Sequence, residues 1–523
     1  MRTSSEKADK PEKADKPEKA RGSEEVGTPE SAETPESAET PESAGTPEST
    51  SAPEKAVPAG APARRTPRAP RHGRRRTIEV VVIALLIVAA NVLINLGFEL
   101  YGSLANVMWD EYRAATGEGI DTVVVGSSTG QRSFDPQVLD AALGTSTFNM
   151  ATPAQELDDS CAAARQAIRD HHVRRVILAV DYESISTVNW PGSHVAFARA
   201  KMEGEPLPQA VADYWGLLTS ASFFDGPDSI SALFPWGYNH VELDAEHIAT
   251  NLRDRLGDTT SVQAAERVMD GWTYYGRGYG NYDGVLDYSM AQDHLSAAGD
   301  GPADFSQQGL DWIQDICDLC RENGVQLIVV VTPRPAFNVL SYGEKYPEQM
   351  SRLQQVVEQG GGAFLDANMA KGGWWEPQDT DFYDGEHLNH DGAARFSQAF
   401  AQALAALDAG GSAADLTYAY GQWDQYLASV DDISAVAATS SLEDDATTVT
   451  AMAFTGSNVQ VEYRFSLVAE DGTEMVVQDW GTSDTCTIPQ EQIPEGSSQV
   501  EVCVRKAGSA VGYERYCMVD ISG

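Results

Sequence analysis

Two segments of the sequence hold residues able to do covalent chemistry. The first is VVVGSSTGQRSFDP (123–136), where Gly126 ends a strand-like run and Ser127 and Ser128 open the turn after it. A serine at the C-terminal edge of a parallel strand stands at the mouth of the crevice that such sheets use for ligands. The backbone N–H groups of a following helix would favour negative charge developing there. The second is DFYDGEHLNHDGAARFSQAF (381–400), in which Asp384 and His387 are three residues apart, ahead of a helix expected from about Asp391. That spacing lets a carboxylate and an imidazole converge, with the acid orienting the ring or stabilising its protonated form. Each segment also has a plain structural reading: Gly-Ser-Ser as a helix cap, and Asp391 as a cap beside an exposed His387.

Taken together, the two segments resemble the SGNH (GDSL-like) hydrolase family, which has a serine directly after its first strand and a late Asp-x-x-His. The resemblance covers roughly 117–407, apart from an insertion at 184–304. It implies that Ser128 is the nucleophile and that His387 is first general base and then general acid. Asp384 would orient the imidazole. Ser127 and His390 stand as alternatives one residue or one turn away. Two positions depart from the family pattern. The second-block glycine falls in NMATPA, where Ala151 or Ala154 stands, and the third-block asparagine falls at Asp181 in LAVDYES. An ionised carboxylate cannot stabilise an oxyanion, so Asn149 and the Ser128 N–H are the expected substitutes.

Arg334, in TPRP at the end of VQLIVVVTP, is expected either to hold a phosphate or carboxylate of the substrate or to be a surface arginine. No cofactor is expected. There is no Walker-type glycine loop, no HExxH and no paired Cys/His spacing of a zinc site. The CxxC formed by Cys317 and Cys320 lies on a helical stretch without thioredoxin-like surroundings.

Positioning these residues requires a framework, and the pattern supplies one. DTVVVG (121–126), TFNM (147–150), RRVILAVDY (174–182), VQLIVVVTP (325–333) and AFLDAN (363–368) read as strands. Helical spacing lies between them at 155–171, 309–323, 348–359 and 391–407. Continuous apolar strands separated by helices give an α/β fold, a three-layer, flavodoxin-like parallel sheet covered on both faces. The rhythm fails between Ser184 and about Asp304, a stretch rich in Trp, Tyr and Gly, read as a lid or as a structural insertion. After Asp415, VEYRFSLV, MVVQDW, VEVCVR and YERYCMVDI alternate between turn signals and predict a small antiparallel β-sandwich over 415–523. This part is similar to the immunoglobulin-like three-tyrosine modules of bacterial surface proteins. Cys503 and Cys517 are expected to face each other across a hairpin.

The chain has 523 residues and a formal charge of −41, but residues 1–76 hold 15 basic and 14 acidic side chains, so the deficit lies in the remainder. So acidic a body excludes a nucleic-acid role. Residues 1–76 contain no Phe, Trp, Tyr, Leu, Ile or Cys and repeat EKADKP and TPESAE, which predicts a disordered tail. Seven arginines between Arg64 and Arg76 precede the apolar run Val80–Phe98. A bilayer core about 30 Å thick needs about 20 helical residues. One transmembrane signal anchor over 78–101 therefore fits, with the N-terminus cytoplasmic and the remainder outside. Cleavage near Ser103-Leu104-Ala105 is the competing reading.

That layout is similar to teichoic-acid D-alanyl transfer and alginate O-acetylation proteins. What it implies is a membrane-anchored, extracytoplasmic serine esterase or O-acyltransferase acting on a cell-envelope polysaccharide or teichoic-acid-like polymer. A multi-pass membrane acyl exporter would be a partner. The alternative is a catalytically silent surface-binding or scaffold protein with a degraded SGNH domain.

Overall fold

The computed structural model describes residues 72–186, 191–218, 239–295, 301–443, 445–469, 471–494 and 497–521. The repeat-rich tail up to residue 71, expected to be disordered, lies outside them. The first element, α1 (His72–Phe98), is long and apolar enough to cross a membrane over Arg75–Phe98, and the side chains from Arg75 to Ala90 are exposed.

The chain then alternates. Strand β1 (Thr122–Gly126) leads into a short helix α2 (Ser128–Ser133), then β2 (Thr147–Asn149), α3 (Leu157–Asp170) and β3 (Arg175–Val180). The insertion contributes α4 (Pro191–Met202), α5 (Ala245–Leu256) and a hairpin of β4 (Trp272–Gly276) and β5 (Tyr279–Tyr282). Helix α6 (Gln307–Asn323), β6 (Gln326–Val331), α7 (Lys345–Gln359), β7 (Ala363–Asp366) and α8 (His390–Asp408) complete the α/β part. Its sheet is parallel throughout, in the order β2-β1-β3-β6-β7. With the inserted hairpin set aside, this is the 2-1-3-4-5 order of doubly wound sheets, whose ligand crevice lies at the carboxyl ends of the strands.

The apolar runs explain the layers. Successive side chains in a strand point to opposite faces, and here both faces are covered. Val123 and Val125, with Leu178 and Val329, face a core shared with Leu157 of α3 and Ile313 of α6. Val124, Ile177 and Val330 face a second core with Phe396, Phe400 and Leu404 of α8.

Seven C-terminal strands follow, β8 (Ile433–Glu443), β9 (Ala446–Thr455), β10 (Val461–Ala469), β11 (Glu474–Gly481), β12 (Thr485–Pro489), β13 (Ser497–Lys506) and β14 (Arg515–Asp520). They form two antiparallel sheets, β11-β10-β13-β14 and β12-β9-β8, that share one core including Val436, Val449, Phe465, Ile488 and Val502. The register between β13 and β14 corrects the cysteine expectation. Cys503 pairs with Tyr516 and Cys517 with Val502, a one-residue offset that sends the two thiols to opposite faces. Both are free and buried.

The C-terminal end of α1 is held by the insertion. Asn251 of α5 donates to the carbonyls of Gly97 (3.0 Å) and Glu99 (2.9 Å) and accepts from the Tyr101 N–H at 2.8 Å. Arg199 of α4 forks onto the Glu99 carboxylate with two bonds of 2.7 Å. The apolar helix therefore leads into a polar, well-bonded collar.

Candidate active site

Strand β1 delivers the serine through a glycine elbow. Gly126 has φ +146°, and a Cβ there would lie 2.3 Å from the Ala179 carbonyl oxygen, so only glycine lets β1 end this close to β3. Ser127 is the N-cap of α2, and Ser128 is its first helical residue. The first-turn amides of a helix have no intrahelical acceptor, which leaves the Ser128 N–H available to an incoming oxyanion.

The distant Asp-x-x-His segment meets this serine. His387 Nε2 lies 2.8 Å from Ser128 Oγ, and His387 Nδ1 lies 2.9 Å from each oxygen of Asp384. Asp384 Oδ1 also accepts the backbone N–H groups of Glu386 and His387, each at 2.8 Å, which fixes the turn. Burial pushes the Asp384 carboxyl up. The hydrogen bond and charge of His387, those backbone bonds and the nearby Arg132 outweigh it, and the carboxyl titrates at about 2. It is therefore an anion wherever the imidazole is neutral. Helix α8 starts immediately afterwards, capped by Asn389, which accepts from Gly392 N at 2.9 Å, rather than by Asp391.

The two neighbouring alternatives are engaged elsewhere. Ser127 Oγ bonds Asp181 at 3.0 Å and Thr129 Oγ1 at 3.1 Å. His390 stacks on Tyr275 with ring centroids 3.9 Å apart and bonds the Tyr279 hydroxyl at 3.1 Å.

Asp181 occupies the end of β3, and its role is visible. Its Oδ2 accepts from Ser127 and from Thr129 (2.9 Å), and its Oδ1 accepts from Ser184 N at 2.7 Å. Burial raises this carboxyl, but the Arg334 charge and these three donors lower it further, so it is ionised. Its place is taken up in clamping the residues on either side of Ser128.

Asn149, expected as an oxyanion or substrate contact, is not brought to the crevice. It is fully buried, and its Nδ2 donates to the carbonyls of Gly130 (3.2 Å), Gln131 (3.2 Å) and Phe134 (3.0 Å). Its Oδ1 takes the Ala151 N–H at 3.0 Å, which also removes Ala151 as a donor. Ala154, the other position where a glycine was expected, lines the crevice at φ +50°. A left-handed L-residue costs about 1–2 kcal/mol. After allowance for the freer unfolded chain, Ala154→Gly should stabilise the fold by about 0.5–1 kcal/mol in a denaturant titration.

Arg334 sits at the crevice wall, 5 % exposed, rather than on the surface. Its guanidinium bonds Glu183 at 2.5 Å and the Tyr342 hydroxyl at 3.3 Å, and approaches Asp181 to 3.9 Å. Glu183 also accepts from Tyr342. Burial raises the Glu183 carboxyl more than the Arg334 charge lowers it.

Arg132, Glu183 and Glu386 are site residues that sequence reading did not reach. Arg132 lies four residues after Ser128, hence on the same helical face, and that spacing was the available signal. Its guanidinium lies over the rings of Tyr282 (4.8 Å) and Tyr383 (5.8 Å) and 3.8 Å from Asp384. The inserted hairpin thus buttresses the helix that carries Ser128: Tyr282 stacks on Tyr383, and Asn281 donates to the Arg132 carbonyl at 3.1 Å. Gly278 at the hairpin turn has φ +79°, and a Cβ there would fall 1.8 Å from the Asn149 carbonyl oxygen, so a side chain would push the hairpin off β2. Arg132→Gln should slow labelling of Ser128 by a serine-directed electrophile about tenfold, because it weakens the support of Asp384.

The crevice beside Ser128 has a volume of about 180 Å³ and is bounded by Gln155, Glu156, Glu183, Trp312, Arg334 and Glu386 among others. A larger groove of about 650 Å³ runs between Pro377–Asp379 and the C-terminal sheets near Ile433, Lys506 and Arg515, with no serine–histidine pair along it.

No family model matches the chain, and no curated protein matches it. Solved structures similar to it include the following three. A proposed acylhydrolase from Bacteroides fragilis is 10 % identical and covers 57 % of this chain and 96 % of its own, with a TM-score of 0.27. A GDSL-like lipase from Bacteroides thetaiotaomicron is 9 % identical, covering 58 % of this chain and 100 % of its own, with a TM-score of 0.26. A proposed platelet activating factor from Streptococcus pneumonia is 9 % identical, covering 57 % and 91 %, with a TM-score of 0.23.

Proposed function

We propose that the chain is an SGNH-type serine esterase or O-acyltransferase that works through an acyl-Ser128 intermediate. The carrying observation is the continuous chain Ser128 Oγ–His387 Nε2 and His387 Nδ1–Asp384, at 2.8 and 2.9 Å. Ser128 Oγ attacks the acyl carbon as its proton passes to His387 Nε2, and the oxyanion forms against the Ser128 N–H. The C–O bond to the leaving alkoxide breaks, and His387 returns the proton to that oxygen. A water or a polymer hydroxyl then attacks the acyl-serine, gives its proton to His387, and releases acid or the new ester.

The remaining parts of the reading follow from layout. The apolar α1, preceded by arginines, supports a single-pass anchor with the catalytic part outside. An acidic, membrane-held domain with an open crevice supports an extended glycopolymer of the envelope as acceptor or donor, with a multi-pass acyl exporter as partner. The test is intact-mass analysis after incubation with an activated acetyl ester. A single acetyl adduct on Ser128, discharged faster by a polyol than by water, is the expected outcome. A folded protein that never acquires the adduct removes the proposal.

A further inference from the structure

A second cluster of ligating side chains lies behind the crevice wall, where α4 of the insertion meets the start of α3. His194 of α4 places Nδ1 2.8 Å from Asp159 Oδ1 and 3.9 Å from Asp158 Oδ1. One atom from each of the three residues falls within 4.8 Å of the others. The cluster is built into the interior: His194 is 7 % exposed and Asp159 3 % exposed. Two of its atoms are buried without a hydrogen-bond partner among the described residues, the second carboxylate oxygen of Asp159 and His194 Nε2. A buried, unsatisfied carboxylate oxygen costs about 1–3 kcal/mol or more, which favours something that binds it. Glu156, one residue before α3, adds a third negative charge that acts on both Asp159 and His194.

We propose that Asp158, Asp159 and His194 form a binding site for a divalent transition cation of the zinc class, clamping the insertion onto the helix that borders the Ser128 crevice. The donor set selects the ion. An imidazole nitrogen with two carboxylates suits zinc or manganese, whereas calcium wants six to eight oxygens. Zinc takes nitrogen at about 2.0–2.1 Å and carboxylate oxygen at about 2.0–2.2 Å. Ligand atoms of a tetrahedral site with those bond lengths stand about 3.3 Å apart, between the 2.8 and 3.9 Å that separate His194 Nδ1 from the Asp159 and Asp158 oxygens. A fourth position remains for water or for the Glu156 carboxylate. Glu156 itself lines the crevice with Gln155 and Leu157, so the clamp fixes α4 directly behind that wall. Sequence spacing could not reveal the site, because its ligands lie on two helices 35 residues apart.

The test uses the full chain in detergent, stripped with chelator and dialysed. Titration with zinc should give one bound equivalent by elemental analysis and a raised Tm. Cobalt(II) in its place should give the visible bands of a low-coordinate nitrogen–oxygen site. His194→Asn and Asp159→Asn, each checked by circular dichroism, should bind zinc at least about 100-fold more weakly and lose the Tm rise. If either variant fails to fold, the cobalt spectrum and stoichiometry of the unaltered chain decide alone. No bound metal, or equal binding in the folded variants, overturns the proposal and leaves a histidine–aspartate ion pair. The outcome is independent of whether Ser128 reacts.

Discussion

Ser128→Ala is expected to abolish labelling by a fluorophosphonate, and His387→Ala to slow it by about 10³-fold or more. The probe loses fluoride as its phosphorus bonds Ser128 Oγ, and the displaced proton must go to His387 Nε2, 2.8 Å away. Among the described residues, neither neighbouring hydroxyl is placed to substitute. Ser127 donates to the ionised Asp181, and Thr129 does the same. The Asp384 carboxyl, at about 2, keeps its charge from mildly acidic to alkaline pH, so it supports His387 across any labelling–pH profile measured there. Residual labelling of Ser128→Ala at the rate of the unaltered chain would place the reactive group elsewhere. Loss of labelling without loss of circular dichroism would tie the chemistry to this serine.

Much of that site was legible because it depends on local signals. Gly126 marks a strand end, Asp384-x-x-His387 marks a turn, and each can be recognised without its neighbours. What brings them together is the sheet order, and continuous apolar runs such as VVVG and QLIVVV announce a parallel sheet covered on both faces. Residues whose meaning is a partner across space were not legible. Asp181 could be read as a departure at the third-block position, but its bonds to Ser127 and Thr129 need the folded elbow. Arg334 looked more like a surface residue than a ligand contact, since its partner Glu183 lies 151 positions earlier. Asn149 was misplaced because the carbonyls that consume its amide belong to α2 and its C-cap Phe134. Strands β8 and β9 went unread since their Ala, Ser and Thr residues blur the alternation, and Cys503 with Cys517 missed by one residue of register.

Arg334→Met should lower stability by about 2–4 kcal/mol, the cost of leaving buried carboxylates without their cation, reduced because Glu183 is only partly buried. Methionine fills the space but offers nothing to Glu183 or Asp181, both of which meet the guanidinium within 4 Å. The loss should depend on pH, and its sign follows from the two carboxyls. In the intact protein the Arg334 charge lowers both, leaving Asp181 below its ordinary value and Glu183 above it through burial. Without that charge both folded-state values climb. A carboxyl raised in the folded state costs nothing below its unfolded value of about 4, where both forms carry the proton. Its cost grows as pH rises through the interval up to the folded value. The stability gap between variant and intact protein should therefore be narrowest at about pH 4 and below and widest near pH 8, measured by urea denaturation at each pH. Because Asp181 clamps Ser127 and Thr129 on either side of the nucleophile, the folded variant should also label more slowly at pH 8 than the intact protein. Equal stability at pH 8 would show that Glu183 and Asp181 reach solvent without the arginine, and that Arg334 is no part of the architecture that holds Ser128.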